Sequence, residues 1–427
     1  MFKNYIQKKL EGYVRKYLAA HPEIKLVAVG GSVGKTSTKT MIATVLAQKY
    51  RVRMRDDNHN THMSAPLAIL GIEYPENIRS IFSWFGVFRA ARKRIKASTD
   101  VDVIVQELGT DRIGEIAHFG TYLRPNIGVV TAVTAEHMEF FQTIENVAAE
   151  EIALANFSEL ALINRDDIEG RFAELLTDGA INTYGTTSAA EYRFEIGDFT
   201  VDDGYKGAII APEFATAVNA QVKVLGEHSL RPVTAAVAVA IKLGLSPDEI
   251  VQGLATIHAV PGRMNVLRGV EHSTLIDDTY NSSPAAAAAA LQTLYSIQAP
   301  QRIALLGDMN ELGTISDVEH QKLGQLCDPN LLAWVITVGP QSEKFLAPAA
   351  RARGCQVKSF ANAIDAGAFA HSVIEEDAVL LAKGSQGGIF LEEALKLLLH
   401  ETTEDRQLVR QSDAWRLEKD KHFARFK

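Results

Sequence analysis

The chain has 427 residues, a formal net charge of −8 at neutral pH and a pI near 5.9. That length exceeds one ordinary core and predicts two or three domains, while 47% hydrophobic and 22% charged residues exclude disordered, collagen-like and coiled-coil classes. The acidic balance leaves no basic footprint for nucleic acid and points to small-molecule partners. Cys327 and Cys355 are the only cysteines and lack the spacing of a disulfide framework or a zinc site, which fits a reducing, cytoplasmic setting.

From the N-terminus, Phe2, Ile6, Leu10, Tyr13, Val14, Tyr17 and Leu18 recur at three- and four-residue spacing and predict an amphipathic helix within residues 1–23. Its lysines and arginines break up the apolar residues, so it is not a signal peptide. No stretch is long enough to span a bilayer, and membrane association is not expected. IKLVAVGGSVGKTSTKTMIATVLAQKY then gives an apolar β-branched run, a glycine turn and a helical pattern. A strand, a loop and a helix in that order suit a phosphate site.

Further apolar runs, VDVIVQELG and NIGVVTAVT, alternate with helical stretches such as TIENVAAEEIALANF, predicting a mainly parallel sheet with helices on both faces. Residues 186–227 differ. Short alternating pieces such as YRFEIGDFTVDDGYKGAIIA predict β-hairpins that extend the same domain as an antiparallel sheet. The helical pattern stops at Pro261-Gly262, which sets a domain boundary near 260. Beyond it, TLIDDTY, RIALLGDM, WVITVG and AVLLAKGS predict the strands of a second α/β domain with Rossmann-like alternation. The expected organisation is therefore an N-terminal helix (1–23), a central nucleotide-binding domain (24–260), a C-terminal Rossmann-like α/β domain (261–400) and a charged tail (401–427) that forms an exposed helix or frays.

Gly31-Ser32-Val33-Gly34-Lys35-Thr36 carries the first chemistry. Glycines let backbone N–H groups approach phosphate oxygens, the helix N-terminus adds positive potential, Lys35 can reach the β- and γ-phosphates, and the Thr36 hydroxyl can bind Mg²⁺. The strict GxxxxGK[ST] pattern fails at Val29, which occupies the place of its first glycine. The bland alternative is a glycine-rich turn.

Together with Ser37, this loop resembles the phosphate loop of the Mur ligase family, G-S-x-G-K-T-[ST], and further segments follow in that family's order. Asn58, Asn60 and Pro66-Leu67 resemble its N-x-N-N-x-x-G-V-P-L segment, with Thr61 and Ser64 departing from it. Gln106-Glu107-Leu108-Gly109 through Gly114-Glu115-Ile116 resembles the E-x-G-x-x-x-x-G-E-I segment of the members that add D-alanyl-D-alanine. TAVTAEHME (131–139) is similar to T-N-I-G-x-A-H-L-E, which places His137 on a magnesium-binding histidine. Fourteen residues on, where such members carry a carbamylated lysine, this chain has Glu151, and no lysine occurs from 97 to 204. Glu151 is the expected stand-in, or Glu150 after a one-residue shift; the competing reading is two solvated glutamates on a helix.

Gly226 to Pro232 resembles G-x-H-N-x-x-N with both asparagines lost, which leaves His228 facing the nucleotide or capping a helix. Pro261-Gly262-Arg263-Met264 and Asp277-Asp278-Thr279-Tyr280-Asn281 resemble P-G-R-M and D-D-x-Y-N. The resemblance implies Arg263 at the phosphates, Asp278 on the ribose and Asn281 beside them when the domains close, and a guanidinium fork suits phosphate oxygens. GDMNELG (307–313) with His320, and Lys383-Gly384-Ser385, resemble loops that line the incoming amine's pocket, although Gln386 replaces an arginine. Asn60, Asp308, Glu311, Lys383 and Ser385 are the substrate candidates.

The resemblance implies an ATP-dependent, ADP-forming ligase that makes an amide bond through an acyl phosphate. Lys35, Glu107, His137 and Arg263 would be catalytic, and Thr36, Glu107, His137 and Glu151 would bind Mg²⁺. The implied reaction joins D-alanyl-D-alanine to a UDP-MurNAc-tripeptide in peptidoglycan precursor synthesis, carried out by a monomer. Two other readings stay open: the same chemistry on another carboxylate (tetrapyrrole, folate or lipid-linked precursor), and a nucleotide-binding protein without ligase activity. The family's N-terminal domain, which grips the UDP-sugar, has no counterpart in residues 1–23. Residues 78–98 are basic and aromatic, and are read as an amphipathic helix covering a core, with a membrane-facing role as the second reading.

Overall fold

A computed structural model describes residues 2–56, 59–75, 77–177 and 179–426; Asn58 lies outside them. The chain divides into two compact units, one of Met1–Thr134, Phe140–Lys223 and Ser229–Ile257, the other of Ala135–Glu139, Val224–His228 and His258–Lys427.

The first unit is built on a nine-stranded sheet in the order β2-β3-β1-β4-β5-β6-β7-β8-β9. Its strands are β1 (Lys25–Gly30), β2 (Val52–Arg53), β3 (Val103–Glu107), β4 (Ile127–Val130), β5 (Leu160–Asn164), β6 (Ala180–Gly185), β7 (Tyr192–Thr200), β8 (Gly204–Ile210) and β9 (Val218–Val222). From β2 to β7 every pairing is parallel. β1, β3 and β4 are almost entirely buried, which is why they read as continuous apolar runs and not as alternating patterns. The hairpins β7–β8 and β8–β9 continue the sheet antiparallel, where the sequence alternates. β5 and β6 escape a reading by apolar runs because LALIN is short and AINTYG is polar and exposed at its start.

Four helices flank the phosphate loop or build the surface beside it: α1 (Phe2–Ala20), α2 (Lys35–Leu46), α3 (Ser64–Leu70) and α4 (Ile81–Lys96). α1 and α4 pack together over α3 through Ile6, Leu10, Leu67, Trp84 and Val87. The Ser80 hydroxyl starts α4 by accepting from the Ser83 N–H.

The second unit carries a six-stranded sheet, β10-β11-β15-β12-β13-β14, formed by β10 (Asn265–Arg268), β11 (Thr274–Asp278), β12 (Arg302–Gly307), β13 (Trp334–Val338), β14 (Val357–Phe360) and β15 (Val379–Lys383). All pairings except β10–β11 are parallel. The α/β architecture is the one expected for both parts, and the parallel strands end in the loops that carry the motif residues.

Of the two expectations for the C-terminal residues, the structure has the largely exposed helix, and it is anchored. Leu408 is buried in the core of the second unit, and the helix Asp413–Phe423 follows it. Arg410 donates from Nε and Nη2 to the Glu392 carboxylate at 2.8 and 2.6 Å, and also to the Thr279 and Tyr280 carbonyls. Lys419 pairs with Glu392 and Glu393. Residues 408–423 are therefore a strap held by buried ion pairs, not a fraying tail. The charges that look solvated in the sequence find opposite charges 18 to 27 positions earlier.

Candidate nucleotide-binding loop and the motif loops of the second unit

β1 delivers the chain to Gly31, whose φ of +123° only glycine adopts readily, and a Cβ there would overlap the Thr131 hydroxyl. Gly34, at φ +85°, starts α2 in the left-handed region. The loop is braced by the segment after β4. Ser32 Oγ donates to the Ala132 carbonyl and accepts the Thr134 N–H at 2.8 Å, and Thr131 Oγ1 donates to the Val33 carbonyl at 2.6 Å. Thr131, the first residue of TAVTAEHME, is thus a loop brace.

Lys35 opens α2, and its Nζ donates to the Gly31 and Ser32 carbonyls at 2.5 and 3.0 Å. The next residue, Thr36, donates from Oγ1 to Glu107 Oε2 at 3.1 Å. Asn60 Nδ2 reaches the other oxygen of that carboxylate at 3.2 Å, while Lys39 Nζ stands 3.5 Å from Oε2 and donates to the Arg55 carbonyl. Glu107 and Lys39 are both buried, and burial of either charge requires the other. Sequence reasoning overlooks Lys39; its signal is a second lysine one helical turn after Lys35, on the same face of α2. Asn60, expected at the substrate, orients Glu107.

The adjacent glutamates of the helix Ile144–Asn156 point to different tasks, as neighbours on a helix must, and both are buried. Glu150 accepts from the Gly114 and Ile116 N–H groups and from Thr110 Oγ1. That spends its carboxylate on a turn and removes it as an alternative metal ligand. Glu151 accepts the Gly31 N–H at 2.7 Å, which places its charge at the phosphate loop. Neither is a solvated surface glutamate.

In the second unit, the ends of β11, β12 and β15 are tied to one another. Lys383 Nζ pairs with Asp278 at 2.7 Å and donates to the Asn281 carbonyl, and Asp278 also accepts the Met264 N–H. Asp277 accepts from the Gly262 N–H, the Thr279 N–H and the Thr279 hydroxyl, and burial pushes its carboxyl up to about 6. Arg263 lies over the Tyr280 ring, with 4.2 Å from guanidinium carbon to centroid.

Two of the substrate candidates are engaged by protein partners. Asp308 is buried and accepts the Gln341 and Ser342 N–H groups, so it caps the helical segment after β13. Ser385 is buried, donates to the Ser282 carbonyl and accepts the Asn310 N–H, which knits the three loops together. His320 is fully buried: Nε2 accepts the Met309 N–H and Nδ1 faces the Ser316 carbonyl, which holds the ring in place from both sides. Glu311 lies 2.8 Å from His137 Nδ1, and both backbones are left-handed, at φ +62° and +50°. His137 thus faces a carboxylate in the second unit, and among the described residues no three His, Cys, Asp or Glu side chains gather into a metal-holding group. His228 sits half-buried in the turn Glu227–Ser229, and Gln386 is exposed. Of the expected magnesium ligands, Thr36 and Glu107 are brought together, and these hard oxygen donors beside the loop fit the ion.

Known proteins resemble the chain across both units. Residues 29–240 match the Mur ligase middle domain and residues 262–386 the Mur ligase glutamate ligase domain. The UDP-N-acetylmuramoyl-tripeptide–D-alanyl-D-alanine ligase of Bacillus subtilis is 26% identical over 328 residues, 74% of this chain and 63% of that protein. The enzyme of the same name from Escherichia coli is 27% identical over 353 residues, 78% of this chain and 68% of its own. The aligned part of the chain thus spans about two thirds of these relatives' length. The crystal structure of the Thermotoga maritima MurF ligase with ADP superposes with a TM-score of 0.76 at 22% identity, covering 94% of this chain and 84% of that one, and shares the fold.

Proposed function

Because this chain belongs to the Mur ligase family, we propose that it is an ATP-dependent, ADP-forming ligase that joins D-alanyl-D-alanine to a UDP-MurNAc-tripeptide in the cytoplasm. The observation that carries this reading is the loop itself: Gly31 to Thr36 at the N-terminus of α2, with Lys35 over the loop carbonyls and Thr36 on Glu107.

In the proposed reaction a carboxylate oxygen of the tripeptide bonds to the γ-phosphorus of ATP as the bond to ADP breaks. The dipeptide amine then bonds to the acyl carbon, phosphate departs and the nitrogen loses a proton. Lys35 offers a positive charge to the transferring phosphoryl group, where charge stabilisation matters most. Backbone N–H groups of the loop and the positive end of α2 hold the phosphate chain. Thr36 and Glu107 would hold Mg²⁺, which supplies further positive charge at the phosphates. Asn60 and Lys39 keep the Glu107 carboxylate aimed at Thr36.

Glu151 puts its carboxylate on the loop, in keeping with the role proposed for it in place of the carbamylated lysine. A glutamine there can still accept the Gly31 N–H but carries no charge. Glu151→Gln is expected to lower magnesium-dependent turnover about 10- to 100-fold while leaving the thermal unfolding midpoint unchanged. Wild-type turnover across a magnesium titration would remove the charge from the mechanism.

The direct test is ATP-dependent product formation from UDP-MurNAc-tripeptide with and without D-alanyl-D-alanine, read by mass. The expected product is heavier than the tripeptide substrate by the dipeptide less one water and requires both Mg²⁺ and the dipeptide. ATP binding without that product would move the reading to another carboxylate.

A further inference from the structure

α4 has two apolar faces, and one core uses only one of them. Trp84, Val87 and Ala91 are buried, with Phe88 partly so, and they form the face that packs on α1 and α3. On the other side, Ile81, Phe82 and Phe85 are 67%, 90% and 64% exposed, and Ile78, just ahead of the helix, is exposed beside them. Spacings of three and four residues put Ile78, Ile81, Phe82 and Phe85 on one stripe. The same stripe continues through Arg89, Arg92, Lys93 and Lys96, so its first half is apolar and its second half basic.

Residues 79–96 contain six basic and no acidic side chains. α1, packed beside α4, adds five basic residues against Glu11 alone. Arg92 donates to the Tyr13 hydroxyl and Arg94 pairs with Asp100, so these two are partly engaged, while Arg89, Lys93 and Lys96 are exposed. In a chain whose net charge is −8, this concentration of positive charge is local to one surface. Beyond about 8 Å, physiological salt screens the acidic remainder, so the nearest charges decide what this surface attracts.

We propose that the outward stripe of α4, flanked by α1, docks the protein on an anionic lipid bilayer, independently of the ligase reading. Ile78, Ile81, Phe82 and Phe85 enter the headgroup–acyl boundary, and Arg89, Lys93 and Lys96 meet the lipid phosphates. Apolar side chains exposed to this degree gain from leaving water, and a run of cations along the same stripe complements the surface of an anionic leaflet. No described helix is long and apolar enough to cross the membrane, so the docking is peripheral.

The test is cosedimentation of the full chain with vesicles of phosphatidylglycerol and phosphatidylethanolamine, and with vesicles of phosphatidylcholine alone. Partitioning onto the anionic vesicles is expected to exceed that onto phosphatidylcholine by about tenfold or more and to fall with added salt. Phe82→Ser with Phe85→Ser, and separately Arg89→Glu with Lys93→Glu, are each expected to lower it by about tenfold. These side chains are exposed, so circular dichroism and vesicle-free ATP turnover should match wild type. The proposal is overturned by the absence of binding to anionic vesicles, or by binding that both double variants retain. It is equally overturned if light scattering finds a dimer that the phenylalanine variants dissociate while vesicles are ignored, which would assign the stripe to a second copy of the chain.

Discussion

Lys35→Ala is expected to abolish ATP-dependent turnover, a loss of at least about a thousandfold for a charge that acts on the transferring phosphoryl group. The nearby Lys39 cannot take over. It is buried, its Nζ donates to the Arg55 carbonyl, and it balances Glu107 across 3.5 Å. Phosphate release measured alongside nucleotide affinity separates the steps: lost turnover with retained binding places Lys35 on the phosphoryl group. A near-normal rate would show that the loop from Gly31 to Thr36 is not the site of phosphoryl transfer.

A second large effect is expected far from that loop. Glu392 is fully buried and faces both Arg410 and Lys419. Removing it as Glu392→Ala leaves Arg410 without its counterion and Lys419 with Glu393 alone in a dry site, at a cost of about 3–5 kcal/mol in the unfolding of the second unit. Urea unfolding measures this directly. The pair Glu392→Met with Arg410→Met removes both charges and should recover much of the loss. Recovery stays incomplete because Arg410 also donates to the Thr279 and Tyr280 carbonyls. A single-variant loss below about 1 kcal/mol would mean that water reaches the pair and that the strap is held by Leu408 and its apolar neighbours.

Both expectations rest on residues whose visibility in the sequence differs. The phosphate loop is legible because its backbone needs glycine at two fixed places and because a lysine and a threonine follow at once. The hairpins β7–β8 and β8–β9 are legible from alternation, and the buried strands β1, β3 and β4 from continuous apolar runs. What is not legible is which way a polar motif residue turns. Asp308 and Ser385 sit in loops at strand ends, where substrate residues are sought, yet their atoms are spent on Gln341, Ser342, Ser282 and Asn310. A turn that needs its N–H groups capped and a pocket that needs a carboxylate ask for the same residue type. The strap is illegible for another reason: Arg410 and Lys419 are charged in a charged segment, and only the fold supplies Glu392. Glu150 and Glu151 show the limit most sharply, since one residue of helical rotation separates a turn cap from a loop ligand.

The strand order of the nine-stranded sheet also dictates an order of assembly. β1 is made before both of its neighbours, β3 and β4, whose first paired residues are Val103 and Ile127. On the ribosome the strand that will carry the phosphate loop therefore waits, apolar and without either neighbour, while more than seventy residues are synthesised after it. Closing those distant pairings is the slow step, since the chain loses entropy before any contact repays it. Once β4 is in place, β5 through β9 add to the edge in the order in which they emerge, each beside the strand before it. The phosphate loop is thus made well before the strands that shape it, and a chaperone that shields β1 in the interval would protect the segment on which the proposed activity depends.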